Sequence, residues 1–240
     1  HRLSFSKAKI AYDSILNDQS TIGVLFDYDN KIDIKKENKI PINVVEKVSK
    51  NSANCNIGFI GAGNFAKNIL LPILSKTNAN LKTLCTTNPV GSKTIGNKYN
   101  FDYCCTDYKK IIEDPDINTV FIATRHDLHA KLVLESIQKE KNVFVEKPLA
   151  LFEEDLDEIR AQIIQHPSLS LMVGFNRRFS PHIIKLKSLL DQKKDAPKCF
   201  IFTINAGFIP KDHWVHDPNI GGGRIIGEGC HFIDLMLFLS

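Results

Sequence analysis

The chain has 240 residues, 43% of them hydrophobic, which is enough for one large or two modest domains with a real core. The net charge is +4 and the lysines are dispersed, which argues against nucleic-acid and membrane-surface partners. No apolar run approaches the roughly 20 residues that span a bilayer, and His1-Arg2-Leu3-Ser4 lacks the apolar stretch of a signal peptide.

Residues 4–17 carry a helical pattern (Ala8, Ala11, Tyr12, Ile15, Leu16), and Ile22-Gly23-Val24-Leu25-Phe26 reads as a short strand. Residues 29–54, rich in Lys, Asn and Asp, read as a linker. From Asn56 the pattern changes. Ile57–Ile60 is a short apolar run that ends in a glycine turn, and residues 64–75 read as a helix. Leu81–Thr86 and Thr119–Ala123 are the next strands, and the latter precedes a helix with Ala130, Val133, Leu134 and Ile137 on one face. Asn142–Val145 is a fourth strand, and helix 153–166 leads to Leu169–Val173. Short apolar strands alternating with amphipathic helices predict a doubly wound parallel sheet with the ligand outside the carboxyl ends of its strands. Helix 179–190 follows, then a β-rich run at Cys199–Asn205, a polar loop with Trp214, His216 and Gly221–Gly223, and a final helix. The fold class is therefore α/β: a Rossmann domain over 55–176, then a second α/β domain begun at 177–240 and incomplete. The chain starts without Met and stops inside the apolar run Phe232–Leu239, so both ends are expected to be cut from something longer. Cys55, Cys85, Cys104, Cys105, Cys199 and Cys230 form no C-x-x-C pair, so reduced thiols in a cytoplasmic protein are expected, and no metal site.

The turn Gly61-Ala62-Gly63-Asn64-Phe65-Ala66 follows a strand and opens a helix. Gly61 permits the tight turn, Gly63 lets the backbone approach phosphates, and Ala66 lets helix and strand pack closely, so a dinucleotide pyrophosphate would face the helix N-terminus. A carboxylate at the end of the second strand would grip the 2′-hydroxyl of NAD, but this strand ends Thr86-Thr87-Asn88. Hydroxyls at Thr86, Thr87 and Ser92, with Lys93, suit a 2′-phosphate instead, a lean toward NADP within an NAD(P) reading; the alternative is a plain turn and helix start. Thr124-Arg125-His126-Asp127-Leu128-His129 lies where a dinucleotide would cross the sheet edge, although His129 also fits the first turn of a helix with no ligand. Glu146-Lys147-Pro148 follows the fourth strand. An ammonium in a partly desolvated pocket can exchange protons near neutral pH, and Glu146 could orient Lys147 or bind the nicotinamide ribose; a surface salt bridge is the bland alternative. Near the end, Glu228 and His231 sit three residues apart on one helical face. His231 is a natural general acid or base, or else a structural residue that caps the loop. Turn and lysine together suggest a nicotinamide-dependent oxidoreductase.

Five stretches in order resemble the Gfo/Idh/MocA oxidoreductase family: Gly58–Asn64, Val120–Thr124, Val143–Leu149, Val173–Pro181 and Gly221–Asp234. The resemblance covers roughly residues 55–240. It implies a Rossmann domain followed by an α/β domain with an open, largely antiparallel sheet that is often used for dimerisation. It also implies that Lys147 and His231 face the substrate, with Thr124, His126, His129, Glu146 and Lys147 around the nicotinamide and its ribose. One departure stands out: Gly227 occupies the position four before His231 where the family has Asp, so the proton relay runs through Lys147 and His231 alone or Glu228 substitutes. Residues 1–28 resemble the last helix and strand of a zinc-type, medium-chain dehydrogenase, which implies a bi-domain parent.

The function expected is hydride transfer between NAD(P) and a hydroxyl-bearing carbon of a sugar, cyclitol or sugar nucleotide. Lys147, His231 and Glu228 are the catalytic candidates. Gly61, Gly63, Asn64, Phe65, Ala66, Thr86, Thr87, Thr124, His126, His129, Glu146 and Lys147 are the cofactor candidates. Phe179, Phe208 and Trp214 are expected to wall the substrate ring. The expected partner is a small carbohydrate-like molecule, with a homo-oligomer in the full-length parent. The alternative is a dinucleotide-binding regulatory or non-catalytic member of the same family.

Overall fold

The computed structural model describes residues 2–17, 23–28, 39–42, 55–193 and 197–240. They fall into two compact units, one within residues 1–38 and one within residues 39–240.

In the first unit, strand β1 (Arg2–Ser4) leads through a 3₁₀ turn to helix α1 (Ala8–Asn17) and on to β2 (Leu25–Asp27), which pairs parallel with β1. Phe5 stacks on Tyr28 at 5.0 Å and meets Phe26 edge-on at 5.8 Å, and Ala11 is the buried contact of the helix. The strand expected at Ile22–Phe26 is displaced toward Asp27, and Ile22 lies outside the described residues.

The second unit is built on a sheet. Its strands are β3 (Lys39–Pro41), β4 (Asn56–Ile60), β5 (Asn80–Cys85), β6 (Tyr103–Cys105), β7 (Thr119–Ile122), β8 (Asn142–Val145) and β9 (Leu171–Val173). They lie in the order β3-β6-β5-β4-β7-β8-β9. All neighbours are parallel except β3, which runs antiparallel to β6. Much of the expected linker lies outside the described residues, but Lys39–Pro41 within it belongs to the sheet edge. Lys39 pairs with Asp114 and lies over the Tyr103 ring, which holds this short strand in place.

Helices cross between these strands. A π-helical turn (Ala66–Leu70) runs into α2 (Leu71–Leu74). Helix α3 (Pro89–Lys98) is capped by the Asn88 side chain, which accepts from the amides of Val90 and Gly91. Then come α4 (Lys109–Ile112), α5 (His129–Gln138) and α6 (Glu153–Gln165), the last with three carboxylates in its first turn. Two apolar layers cover the two faces of the sheet. One contains Val120, Ile122, Val133, Ile137, Val143, Val145 and Ile159, and the other Ile57, Phe59, Leu71, Leu84 and Phe101. Phe59, Phe121 and Phe144 stack across three adjacent strands at 5.8 and 4.8 Å. Strands buried on both faces explain why the sequence shows solid apolar runs rather than alternation.

Beyond β9 come a 3₁₀ turn (Asn176–Phe179), helix α7 (Pro181–Leu190), a π-helical turn (Ile225–Gly229) and helix α8 (Cys230–Leu239). The β-rich run expected at Cys199–Asn205 is not a strand here, and Ile201 in its middle is 88% exposed. A strand needs a neighbour to share its ladder, and none pairs with this run among the described residues. Arg178 clamps α8 to the 3₁₀ turn through both oxygens of the buried Asp234.

Candidate active site

The order of the sheet reverses direction between β4 and β7, so the loops after these two strands part and leave a crevice at their carboxyl ends. Gly61 opens the first loop. Its φ is +92°, its amide donates to Cys85 O at 2.9 Å, and a Cβ there would lie 2.3 Å from Ala123 O. Only glycine serves both the left-handed conformation and this close approach. At Gly63, by contrast, a Cβ would meet nothing within 4 Å, so the backbone is open to the crevice. Ala66 is buried where the helix meets the sheet. These are the properties that an NAD-type pyrophosphate site requires, and the local residues fit such a group.

The crevice has two connected parts that share Gly63, Asn64, Ala123, Thr124 and Trp214. The outer part encloses about 940 Å³ and includes Gly61, Thr86, Thr87 and Asn88, with Lys67, Arg125, Asp127 and Lys131. The Thr86 hydroxyl donates to Asn88 O, which leaves Thr87 as the uncommitted hydroxyl. Ser92 does not take part: it is buried and donates to Leu84 O, and Lys93 does not line the crevice. Helix α3 starts at Pro89, so its turn carries Ser92 inward, toward the sheet.

The inner part encloses about 570 Å³ and gathers Asn64, Phe65, Ala66, Thr124, His126, His129, Glu146, Lys147, Asn176, Arg177, Trp214 and His231. Lys147 follows β8, its peptide to Pro148 is cis, and its ammonium donates to Gly227 O at 2.8 Å. His129 is fully buried, with Nδ1 2.7 Å from Pro148 O. A carbonyl only accepts, so Nδ1 carries the hydrogen and Nε2 is a bare acceptor; this atom is buried without a partner. His126 repeats the arrangement, with Nδ1 2.9 Å from Gly221 O and its ring edge-on to Trp214 at 4.9 Å. Burial lowers the pKa of His129 to about 4 and also lowers that of His126. Burial, then the charges of Lys147 and Arg177, hold His231 at about 4 as well. All three imidazoles are therefore neutral at physiological pH. Burial pushes Glu146 the other way, up to about 7.

Three residues expected at the site lie away from the cavity lining. Glu228 does not line the cavity. It faces Arg224, whose Nε and Nη2 lie 3.2 and 2.8 Å from one of its oxygens, because the i,i+4 spacing puts these two side chains together. Phe179 and Phe208 are 61% and 86% exposed and line neither part, so Trp214 alone supplies the expected aromatic wall. Sequence reasoning gave no role to Asn176 and Arg177, which reach the cavity from the loop after β9. The signal was their position, since every strand of this parallel sheet delivers its next residues to the same edge.

Residues 55–175 match the model of an oxidoreductase family with an NAD-binding Rossmann fold. The uncharacterized oxidoreductase YrbE of Bacillus subtilis (strain 168) is 31% identical over 183 residues, covering 76% of this chain and 52% of that protein. Levoglucosan dehydrogenase of Pseudarthrobacter phenanthrenivorans is 27% identical over 209 residues, covering 78% and 51%. A solved levoglucosan dehydrogenase, in complex with NADH and levoglucosan, superposes with a TM-score of 0.66 at 24% identity, over 78% of this chain and 54% of that one, a likeness of fold. The chain thus spans about half the length of the curated relatives it matches. The turn, the sheet that reverses at it, and this match over residues 55–175 agree: the chain belongs to the Gfo/Idh/MocA family of oxidoreductases.

Proposed function

We propose that the chain transfers a hydride between NAD(P) and a hydroxyl-bearing carbon of a sugar or cyclitol, free or nucleotide-linked. The observation that carries this reading is the convergence of the Gly61–Ala66 turn, Lys147 and His231 on one crevice. Sugar and cyclitol substrates are supported by relatives named levoglucosan dehydrogenase and inositol 2-dehydrogenase.

The bound nicotinamide supplies a carbon that accepts or donates the hydride. The chain supplies position and a route for the alcohol proton. Lys147, tethered at Gly227 O, presents its remaining N–H bonds to the cavity. His231, which lines the same cavity as a neutral imidazole, is the base that can take a hydroxyl proton. His129, buried and tied through Nδ1 to Pro148 O, fixes the turn after β8 that carries Lys147. At the outer end β5 finishes without a carboxylate, and Thr87, Lys67 and Lys131 favour a 2′-phosphate, hence NADP.

The proposal extends to a cytoplasmic setting, where the free thiols stay reduced, and to a homo-oligomeric parent. It includes a zinc-type dehydrogenase module before this one, supported by the strand–helix–strand unit at residues 2–28. A second reading, dinucleotide binding without turnover, is favoured by Gly227 and by the engagement of Glu228 with Arg224. Calorimetric titration with NADH and NADPH, followed by turnover assays on a polyol panel, separates the two. Saturable binding with turnover supports the enzyme, binding without turnover on any polyol supports the second reading, and a folded chain that binds neither nucleotide overturns both.

A further inference from the structure

The inner cavity has an unusual charge balance. Two basic side chains, Lys147 and Arg177, line it, against one carboxylate, Glu146. The ammonium of Lys147 rests on a backbone carbonyl, Gly227 O, which carries no net charge. Residue 227 has no side chain to supply one, and a Cβ built there would already press on the His126 ring at 3.1 Å. Glu228, one residue on, is held by Arg224 instead. Arg177 lies over the Phe232 ring at 4.5 Å and has no carboxylate partner among the described residues. Its neighbour Arg178 is the one that Asp234 neutralises. Stacking on Phe232 orients the guanidinium plane while leaving its N–H edge free for a planar, two-oxygen acceptor. Glu146 compensates little, since burial favours its protonated form up to about pH 7.

We infer that this cavity takes a polyhydroxylated substrate that bears a carboxylate, a sugar acid or a carboxylated cyclitol, with Arg177 as the group that receives the carboxylate. This rests on the hydride-transfer reading above and narrows its substrate class. The reacting hydroxyl lies at the Lys147 and His231 side, and the carboxylate sits toward the loop after β9. Arg177 is then a specificity residue, and Gly227 is the reason that an anion is welcome next to Lys147.

The test is calorimetry on the full chain saturated with NADH, or with NADPH if that binds tighter. The probes are D-glucuronate and quinate, each against its methyl ester. We expect each acid to bind at least about tenfold tighter than its ester, a gap that one charge-assisted bidentate contact supplies. Arg177→Gln should close the gap by weakening the acids and not the esters. Arg177→Lys should keep part of it, a point charge without the fork. Gly227→Asp, an independent route if an Arg177 variant misfolds, should narrow the gap by restoring a negative charge near Lys147. Equal heats for acid and ester, including no heat from either, overturn the inference while the nucleotide reading stands. So does a preference that survives Arg177→Gln in a folded protein. Failure to take up either nucleotide appears in the first titration and removes the nucleotide reading and this inference together.

Discussion

At the outer end of the crevice the chain offers main chain: a glycine with φ +92° wedged against Ala123, an open backbone at Gly63 and the start of a helix. At the inner end it offers side chains, brought together from the loops after β4, β7, β8 and β9 and from the start of α8. The turn that carries it is made within six residues, Gly61 to Ala66. The inner end needs Lys147 to meet Gly227 across 80 positions of sequence. A site of the first kind depends on backbone conformation, so it fails through strain. A site of the second kind depends on registry between distant elements, so it fails chemically while the fold survives.

That contrast can be broken most sharply at Lys147. Lys147→Ala should cost turnover about 10³-fold while nucleotide affinity changes little, because only proton handling is lost; single-turnover rates beside calorimetry check this, and unchanged turnover removes the lysine from the chemistry. The converse variant, Gly61→Ala, should destabilise the fold by about 3 kcal/mol and abolish nucleotide binding together, through left-handed strain and a clash with Ala123 O. Denaturant unfolding reads the first effect and calorimetry the second.

Acid titration tests the inner end as a whole. Between pH 6.5 and 4 the unfolded chain binds protons that folded His129 and His231 refuse, so both contribute stability that is lost as pH falls through this window. For His129 the loss is on the order of 3 kcal/mol, and it is smaller for the less buried His231. Glu146 has the opposite sign: its pKa of about 7 against the usual 4.5 means that folded protein gains stability as pH drops from 7 toward 4.5. Glu146→Gln removes that compensation, so its melting temperature should fall more steeply with acid than that of the unaltered chain. A parallel pair of curves would show that Glu146 is not held protonated. The smallest effect belongs to the outer end, where Thr87→Asp should shift preference from NADPH toward NADH by about tenfold, through repulsion of a 2′-phosphate.

The features legible in the sequence were those whose cause is local. A glycine turn between an apolar run and a helix announces itself in a dozen residues, and so does a lysine at the end of an apolar strand. Helix α3 is legible too, as the plain turn and helix start that stood beside the ribose reading of Thr86-Thr87-Asn88, with Asn88 as its cap and Pro89 after it. Strand β6 has just three residues and β3 lies in a polar stretch, so neither gives a periodic signal. For Glu228 the sequence held both possibilities, His231 at i+3 and Arg224 at i−4, and a fixed opposite charge wins over an imidazole that burial keeps neutral. The β-rich run at Cys199–Asn205 shows the limit of composition: β-branched and aromatic residues mark a segment fit to be a strand, and only a neighbour makes it one.

Trp214 gives this molecule an optical use. It is the single tryptophan of the sequence, it borders both parts of the crevice, and it lies between the Arg125 guanidinium at 5.7 Å and the edge of His126. All indole emission therefore originates at the junction between the two ends. Its colour should respond to the field of Arg125, and its intensity to protonation of His126. A dihydronicotinamide ring, which absorbs in the band where indole emits, would draw its excitation by resonance transfer, so one lamp and one wavelength would follow filling and emptying of the crevice without a label.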